Sequence, residues 1–527
     1  RPRVPKATRY DSSNPDLEAS TSAEDVAAAD AFDEDAYDDD NADDDPDKYD
    51  ATGKKYQLDD FIPVYLHNLR SYDAHFILKH FQRRIVTTRG KNNERIYPDI
   101  RVIANNSEKY ISFEFLGLRF LDSCLFLSAS LDSLVENLKA SGTDKFKHTI
   151  RHFGENQPLV FQKGVYPYEY MTSRAKFAET SLPSKDDFFS RLADEGISDD
   201  DYARAVDAFD KFGCSNLEEY HNLYLTCDVL LLADVFENFR DLSLRLYSLD
   251  PAHFYTLPSL SWQACLKYTE VELDLIIEDS IYLFLEAGIR GGVSTISHRH
   301  AVANNPYLEN KDDFDPLKEE SHIIYLDANN LYGFAMKQAL PTGKFHWVNE
   351  DEFDTIIADI DNIAADAENG YILEVDLSYP SSLHHEHNDF PLAPEKLEVT
   401  SEMLSQYCQS FGTKHIKATK LIPNLMDKTK YIIHYRNLQL YKQLGLRVTK
   451  THRILAFTQK SWMSPYIDLN TMMRRTSKSE FEKNFYKLAN NSVYGIMIFI
   501  IFTLFIMITI FFEILWQLSV IKSEQML

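Results

Sequence analysis

The sequence predicts a multidomain chain that combines α/β and α+β organisation, and three observations carry that prediction. Apolar runs of strand length lead into carboxylates, at Phe61-Ile-Pro-Val-Tyr-Leu66 ahead of Asp73 and at His322-Ile-Ile-Tyr-Leu326 ahead of Asp327. Such runs, bounded by polar residues and Gly, fit strands covered on both faces. Helical runs alternate with them, notably Val229–Phe236 and the stretch from Ser479. The 527 residues leave room for about two to four domains, and 44% hydrophobic content is ordinary for chains with buried cores.

Residues 11 to 50 carry 17 Asp or Glu against the single Lys48, a net charge of −16 that predicts a disordered acidic tail (1–50). Its Asp16-Leu-Glu18 triplet lies between Ser, Asn, Pro, Ala and Thr residues, with no apolar strand to hold the pair. The cysteines Cys124, Cys214, Cys227, Cys265 and Cys408 are odd in number and form no C-x-x-C, which predicts a reducing compartment and no zinc framework. With no signal peptide, the expected location is intracellular. A start at Arg1 rather than Met points to a fragment or a conceptual translation.

The ordered part begins with the strand Phe61–Leu66, followed by His67-Asn-Leu-Arg-Ser-Tyr-Asp73 and a helical run through Phe76-Ile-Leu78. Phe120-Leu-Asp-Ser123 reads as a strand and Ser130-Leu-Asp-Ser-Leu134 as a helix start, for which Ser130 is a ready N-cap. In Tyr224-Leu-Thr-Cys-Asp228 the Tyr and Asp are one helical turn apart and face one site. Gly288-Ile-Arg-Gly-Gly-Val-Ser294 follows a helix. Adjacent glycines let a backbone approach a phosphate and Arg290 adds a charge, although a plain inter-domain turn fits as well.

Asp327, at the end of its strand, has the hard oxygen donors that Mg2+ prefers, and Tyr332 lies across the turn. A turn-capping Asp is the plainer alternative. Gly370–Leu377 alternates and predicts a half-buried strand beside the one carrying Asp327. His384-His-Glu-His387 has no further ligand at metal spacing and reads as a solvated loop. In Lys487-Leu-Ala-Asn-Asn-Ser-Val-Tyr-Gly495, Lys487, Asn491 and Tyr494 fall at i, i+4 and i+7 and share one helix face. That face offers a cation for phosphate, an amide and an aromatic ring.

A net charge of −26 argues against nucleic-acid binding, but it is unevenly spread. From Lys414 to Lys487 there are 16 Lys or Arg against four acidic residues, interleaved with Tyr431, Tyr435, Tyr441, Phe457 and Trp462. Basic residues mixed with aromatics suit a groove that tracks a phosphate backbone.

Taken together, Asp327-Ala-Asn-Asn-Leu-Tyr332 and Lys487–Gly495 resemble motifs A and B of family B DNA polymerases, in the right order. His67-Asn-Leu with Asp73 and Tyr224-x-x-x-Asp228 resemble the second and third exonuclease motifs, in a form similar to the protein-primed group. Leu421–Lys428 and His434–Tyr441 are similar to the polymerases of virus-like self-synthesising transposons. The resemblance covers about residues 60 to 495 and implies a ribonuclease H-like 3′-5′ exonuclease domain followed by a right-hand palm and fingers.

The resemblance implies an exonuclease-like domain (51–250), a linker region (251–320), a palm (321–413), a basic insertion (414–478) and a fingers helix (479–495). It makes Asp327, Asp73, Tyr224 and Asp228 catalytic, with Asp327, Asp73 and Asp228 holding Mg2+. Asn330, Leu331, Tyr332, Lys487, Asn491 and Tyr494 become nucleotide contacts, Tyr332 excluding a ribose 2′-OH. His67, Asn68, Ser130, Leu131, Arg290, Gly291, Gly292, Ser492 and Gly495 become DNA contacts. Primer-template DNA, dNTPs and a terminal priming protein are the implied partners.

Beyond Gly495 the pattern changes to a hydrophobic tail (496–527), in which Ile496–Phe512 is apolar apart from Thr. Hydropathy reads this run as a membrane anchor at the lower edge of spanning length. Translated intron or a frame change after motif B is the reading preferred here. No D-T-D follows Gly495, so the second catalytic carboxylate is missing and the expectation is a catalytically incomplete chain. A DNA-binding remnant without catalysis and a membrane-tethered protein are the competing readings.

Overall fold

Alternating apolar residues at Tyr110–Phe115 and Leu118–Asp122 build the first of two main sheets. The structure, a computed structural model, describes residues 61–84, 88–89, 95–96, 100–106, 108–294, 296, 300–308, 314–325, 330–411 and 419–499. The acidic tail with Asp16-Leu-Glu18, Asp327, and the apolar tail from residue 500 lie outside the described residues.

Strand β1 (Ile62–Leu66) leads to α1 (Asp73–Arg84), a short β2–β3 pair (Thr88–Arg89, Arg95–Ile96), β4 (Arg101–Ala104), β5 (Tyr110–Phe115) and β6 (Leu118–Asp122). The four-stranded sheet runs β1-β6-β5-β4, with β1 and β6 parallel and Leu66 opposite Asp122. Phe113 and Phe120 stack at 4.5 Å over buried Leu69 and Ala74. The buried strand expected at Phe61–Leu66 is instead an edge strand, with Ile62 66% exposed. Its inner end is packed on both faces, Tyr65 against Phe236 and Val64 and Leu66 in the core around Phe113 and Phe120, and the exposure is at its outer end.

Five helices follow: α2 (Leu131–Lys139), α3 (Lys147–Phe153), α4 (Asp199–Lys211), α5 (Leu217–Tyr247) and α6 (Leu257–Thr269). The 31-residue α5 is the spine of this layer. Asn216 caps it by accepting from the Glu219 N–H, and Ser248 ends it in the left-handed conformation. Its buried residues Tyr224, Cys227, Leu231, Val235, Phe239 and Leu242 recur every three or four positions, the spacing of one helix face.

After α7 (Asp279–Gly288) and α8 (Leu331–Met336) comes β7 (Leu340–Trp347), then α9 (Phe353–Asp359), β8 (Asn369–Ser378), β9 (Glu395–Glu398), α10 (Gln406–Ser410) and β10 (Thr419–Ile422). The elements β11 (Lys428–His434), α11 (Tyr435–Gln443), β12 (Arg447–Lys460), α12 (Ser464–Thr476) and α13 (Glu480–Phe499) complete the described chain. The second sheet is antiparallel in the order β11-β8-β12-β7. Leu373 and Val375 point from β8 to a core shared with Leu438 and Tyr441 of α11. Ile372 points the other way, to Phe284 and Leu285 of α7. Covering each such side chain contributes about 1.5–3 kcal/mol.

Two expectations are corrected by this sheet. Gly370–Leu377 is a central strand buried on both faces, between β11 and β12, rather than half-buried beside the segment leading to Asp327. The segment His322–Tyr325 is not a strand, and Ile323, Ile324 and Tyr325 are 65%, 69% and 93% exposed. Its nearest pairing is the single Asn304–Ser321 bridge. An apolar run becomes a strand only where another backbone completes its hydrogen bonds, and among the described residues none does.

The chain then returns to the helical layer. Phe481, Phe485 and Val493 of α13 join Phe239 of α5, Leu260 of α6 and Leu134 of α2 in one core. Among the described residues no helix is long and apolar enough to cross a membrane.

Candidate functional site

The apolar stripe Phe481, Phe485, Ala489, Val493 repeats every four residues and turns that side of α13 inward. Lys487 and Asn491 are consequently exposed, and Tyr494 and Ser492 are half-buried beside them. Gly495 lies within the same helix. Opposite stands α8, entered through Asn330 in the left-handed conformation (φ 55°), which Asn tolerates better than most residues. The turn folds back so tightly that a Cβ on Gly333 would come within 2.5 Å of the Asn330 side chain. Leu331 is half-buried and Tyr332 exposed. The rings of Tyr332 and Tyr494 meet at 4.4 Å, so the fold brings the two polar stretches into one aromatic-walled surface. Burial, then the neighbouring Tyr332, raises the Tyr494 phenol above its usual pKa. Asp327 lies outside the described residues.

A second cluster gathers where the parallel strands β1 and β6 end together. Asp122, fully buried, accepts from the backbone N–H groups of Asn68 (2.9 Å), Arg70 (3.1 Å) and Cys124 (2.9 Å). It thereby holds Asn68 in the left-handed conformation (φ 71°) and shapes the loop that ends at Asp73. His67 donates from Nε2 to the Ala129 carbonyl at 3.0 Å, and its Nδ1 lies 2.9 Å from Ser123 Oγ. Burial lowers the His67 pKa. Asp73 opens α1, and burial followed by the charge of Asp122 raises its pKa.

On α5, Tyr224 exchanges a 2.5 Å hydrogen bond with the Tyr168 hydroxyl and stacks on Tyr166. Asp228 keeps one buried oxygen, Oδ1, with no hydrogen-bond partner among the described residues. Burial raises its pKa, and Tyr224 and the charge of Lys163 pull it down. The same lysine acts on His67, so Lys163 lies in the field of both the β1 loop and α5. Asp73 feels Asp122 rather than Asp228, and among the described residues no group of three acidic, His or Cys residues could hold a metal ion.

Asp122, Ser123, Lys163 and Tyr168 are the residues the sequence reading missed. For Asp122 a signal existed, because Phe120-Leu121 leads into a carboxylate, as the runs before Asp73 and Asp327 do. For Ser130 the capping alternative is what the structure shows: its hydroxyl accepts from the Ser133 N–H, and Leu131 is buried.

Arg290 is engaged within the chain. Its guanidinium lies 3.8 Å over the Tyr431 ring and donates to the carbonyls of Ile432 (2.8 Å) and Gly288 (3.2 Å), docking the segment after α7 onto β11. Gly291 and Gly292 are exposed, with nothing within 4 Å of an added Cβ.

The basic stretch is corrected most. Tyr431, Tyr435, Tyr441, Phe457 and Trp462, expected to line a groove together with the basic residues, are all buried in the cores. Strand and helix periodicity turned them inward, leaving the cations outside. Lys420, Lys430, Arg447, Lys450, Arg474, Arg475 and Lys478 are exposed. Lys428 is the exception, buried against Glu395 at 2.8 Å. The His384–His387 loop is also less solvated than expected, since His387 is 2% exposed and its Nδ1 lies 2.8 Å from the Tyr379 hydroxyl.

The family described as DNA polymerase type B, organellar and viral, matches residues 59–496. No curated protein matches the chain. Among solved structures, phi29 DNA polymerase complexed with primer-template DNA and incoming nucleotide substrates is similar at 13% identity and a TM-score of 0.41, covering 82% of this chain and 59% of that one. The phi29 polymerase in its post-translocation binary complex with primer-template DNA is similar at 14% identity and a TM-score of 0.39, covering 82% and 58%. The chain therefore spans about three-fifths of the length of these polymerases.

Proposed function

Because this chain belongs to the organellar and viral type B DNA polymerases, we propose that it serves templated dNTP incorporation in protein-primed DNA replication. The observation that carries the reading is the Tyr332–Tyr494 contact, which joins two separate polymerase-like stretches beside exposed Lys487 and Asn491. A flat aromatic wall with an adjacent cation and amide matches a base or sugar, a polyphosphate and their hydrogen-bonding groups. In this reading Tyr332 walls the sugar and rejects a 2′-OH, Lys487 contacts phosphate, and Asn330, Leu331, Asn491 and Tyr494 complete the nucleotide pocket.

Ser492, Gly495, His67, Asn68, Gly291 and Gly292 are proposed DNA contacts, with the buried Leu131 contributing only by seating α2 in its core, and the exposed cations of 419–478 follow the phosphate backbone. Ser130 and Arg290 contribute through the helix cap and the docked linker. A terminal priming protein is the proposed further partner. The proposed division is the exonuclease-like 51–250, the linker 251–320, the palm 321–413, the basic 414–478 and the fingers helix 479–495.

Type B polymerases generally use divalent metal ions, and the donor set fits in part. The buried Oδ1 of Asp228, without a hydrogen-bond partner among the described residues, is the kind of oxygen a hard cation satisfies, and Asp73 is the proposed second carboxylate. Asp327 is the proposed ligand on the polymerase side. A bound Mg2+ would supply charge neutralisation at phosphate. Tyr224 orients Asp228, and Lys163 sets the field around it.

The test is binding of primer-template DNA to the purified chain by fluorescence anisotropy across a salt series. Expected is sequence-independent binding whose log K falls linearly with log salt concentration. Binding no tighter than that of an equally acidic control protein would overturn the nucleic-acid reading.

A further inference from the structure

We propose that Asn470 and Asn490 are positioning residues that fix the rotation of α13, and with it the outward direction of Lys487, Asn491 and Tyr494. What that face binds rests on the polymerase reading; which way it points does not.

The inward side of α13 is otherwise apolar or aromatic, with Phe481, Phe485, Ala489 and Val493 buried. Apolar contacts are non-directional, so such a stripe alone specifies a helix's rotation weakly. Asn490 breaks the pattern at 6% exposure, next to exposed Asn491. Its Oδ1 accepts from Asn470 Nδ2 at 3.0 Å, and Asn470, fully buried on α12, accepts in turn from the Tyr247 hydroxyl of α5 at 2.5 Å. Asn490 Nδ2 faces the Ile467 carbonyl and Thr471 Oγ1, both at 3.4 Å. The consecutive helices α12 and α13 are thus joined to the distant α5 by one buried polar chain.

Directionality is what this chain adds. Turning α13 by one residue, roughly 100°, in the direction that brings Ala489 to the place of Asn490 would leave the buried Asn470 amide without its partner. Buried polar groups resist losing a partner far more than apolar ones resist sliding. A single buried Asn selecting one register at a cost in stability is an established use of such pairs in helix packing. Because 490 and 491 are adjacent, the register held by one determines the exposure of the other.

The test compares the full chain with Asn490→Leu, Asn470→Leu, and the triple replacement Asn470→Leu/Asn490→Leu/Tyr247→Phe, which removes the polar chain altogether. Nitroxide labels at Asn484→Cys on α13 and Lys211→Cys on α4, with Cys124, Cys214 and Cys408 replaced by Ser, report the helix orientation by pulsed electron paramagnetic resonance. The parent should give one narrow distance. The triple variant should keep its melting temperature within a few degrees yet give a broad or doubled distribution, with dATP binding at least tenfold weaker. The single variants, which leave buried polar groups unpaired (the Asn470 amide in Asn490→Leu, the Tyr247 hydroxyl and Asn490 Oδ1 in Asn470→Leu), should melt lower and also broaden. One narrow, unchanged distance in the folded variants would overturn the proposal. If the parent binds no dNTP, the polymerase reading fails and the distance distribution alone decides this one.

Discussion

The ring of Tyr332, at the start of α8, lies 4.4 Å from that of Tyr494 on α13, tilted by 33°. Neither ring is deeply buried, so the pair is a surface of the molecule rather than part of a core. Aromatic pairs of this kind contribute about 0.5–1.5 kcal/mol beyond the area they cover. Its placement beside Lys487 gives the first prediction. Lys487→Ala should weaken dNTP binding by about 1.5–3 kcal/mol, the range for a charged hydrogen bond, without lowering the melting temperature, because the side chain is exposed. Calorimetric titration with dATP checks it, and equal affinity in parent and variant would reduce the apparent motif to an ordinary helix.

Neighbouring lysines on β11 should behave in opposite ways. Lys428 is buried against Glu395, so Lys428→Ala leaves an uncompensated carboxylate and should cost about 3 kcal/mol of stability in denaturant unfolding. Lys430, exposed two residues on, should leave stability unchanged when replaced by Ala. Lys430→Ala and Lys450→Ala should each reduce the slope of log K against log salt for DNA by about 0.9, if each neutralises one phosphate. An unchanged slope in both would remove this edge of the sheet from the DNA path.

Asp228 gives a pH-dependent prediction. Burial raises its folded pKa above the unfolded value, so its favourable contribution is complete below about pH 4 and is lost as pH rises through the folded pKa. Asp228→Asn should therefore melt higher than the parent at pH 7, with the difference closing toward pH 4. Mg2+ should raise the melting temperature of the parent and not of the variant. A variant that melts lower than the parent at pH 7 would show that the carboxylate is satisfied in its ionised form.

Local patterns were enough for several elements. Spacing alone placed Lys487, Asn491 and Tyr494 on one helix face, because the inward stripe at every fourth residue leaves a single outward side. The residue types of motifs A and B carried the family. Tertiary structure decided everything that depends on a partner. Whether an apolar run is a central strand, as at Ile372–Leu377, an edge, as at Ile62–Leu66, or an exposed segment, as at Ile323–Tyr325, rests on which backbone lies beside it. The aromatics of the basic stretch show the same limit, since Tyr435 and Tyr441 could have faced a ligand or a core, and packing of α11 against β8 and β11 chose the core. Composition cannot see that choice, because burial is settled between elements far apart in the chain. Asp122 is the sharpest case: it caps the local Cys124 N–H by itself, but it gained its role in shaping the β1 loop only when parallel pairing of β1 and β6 brought the Asn68 and Arg70 N–H groups to it.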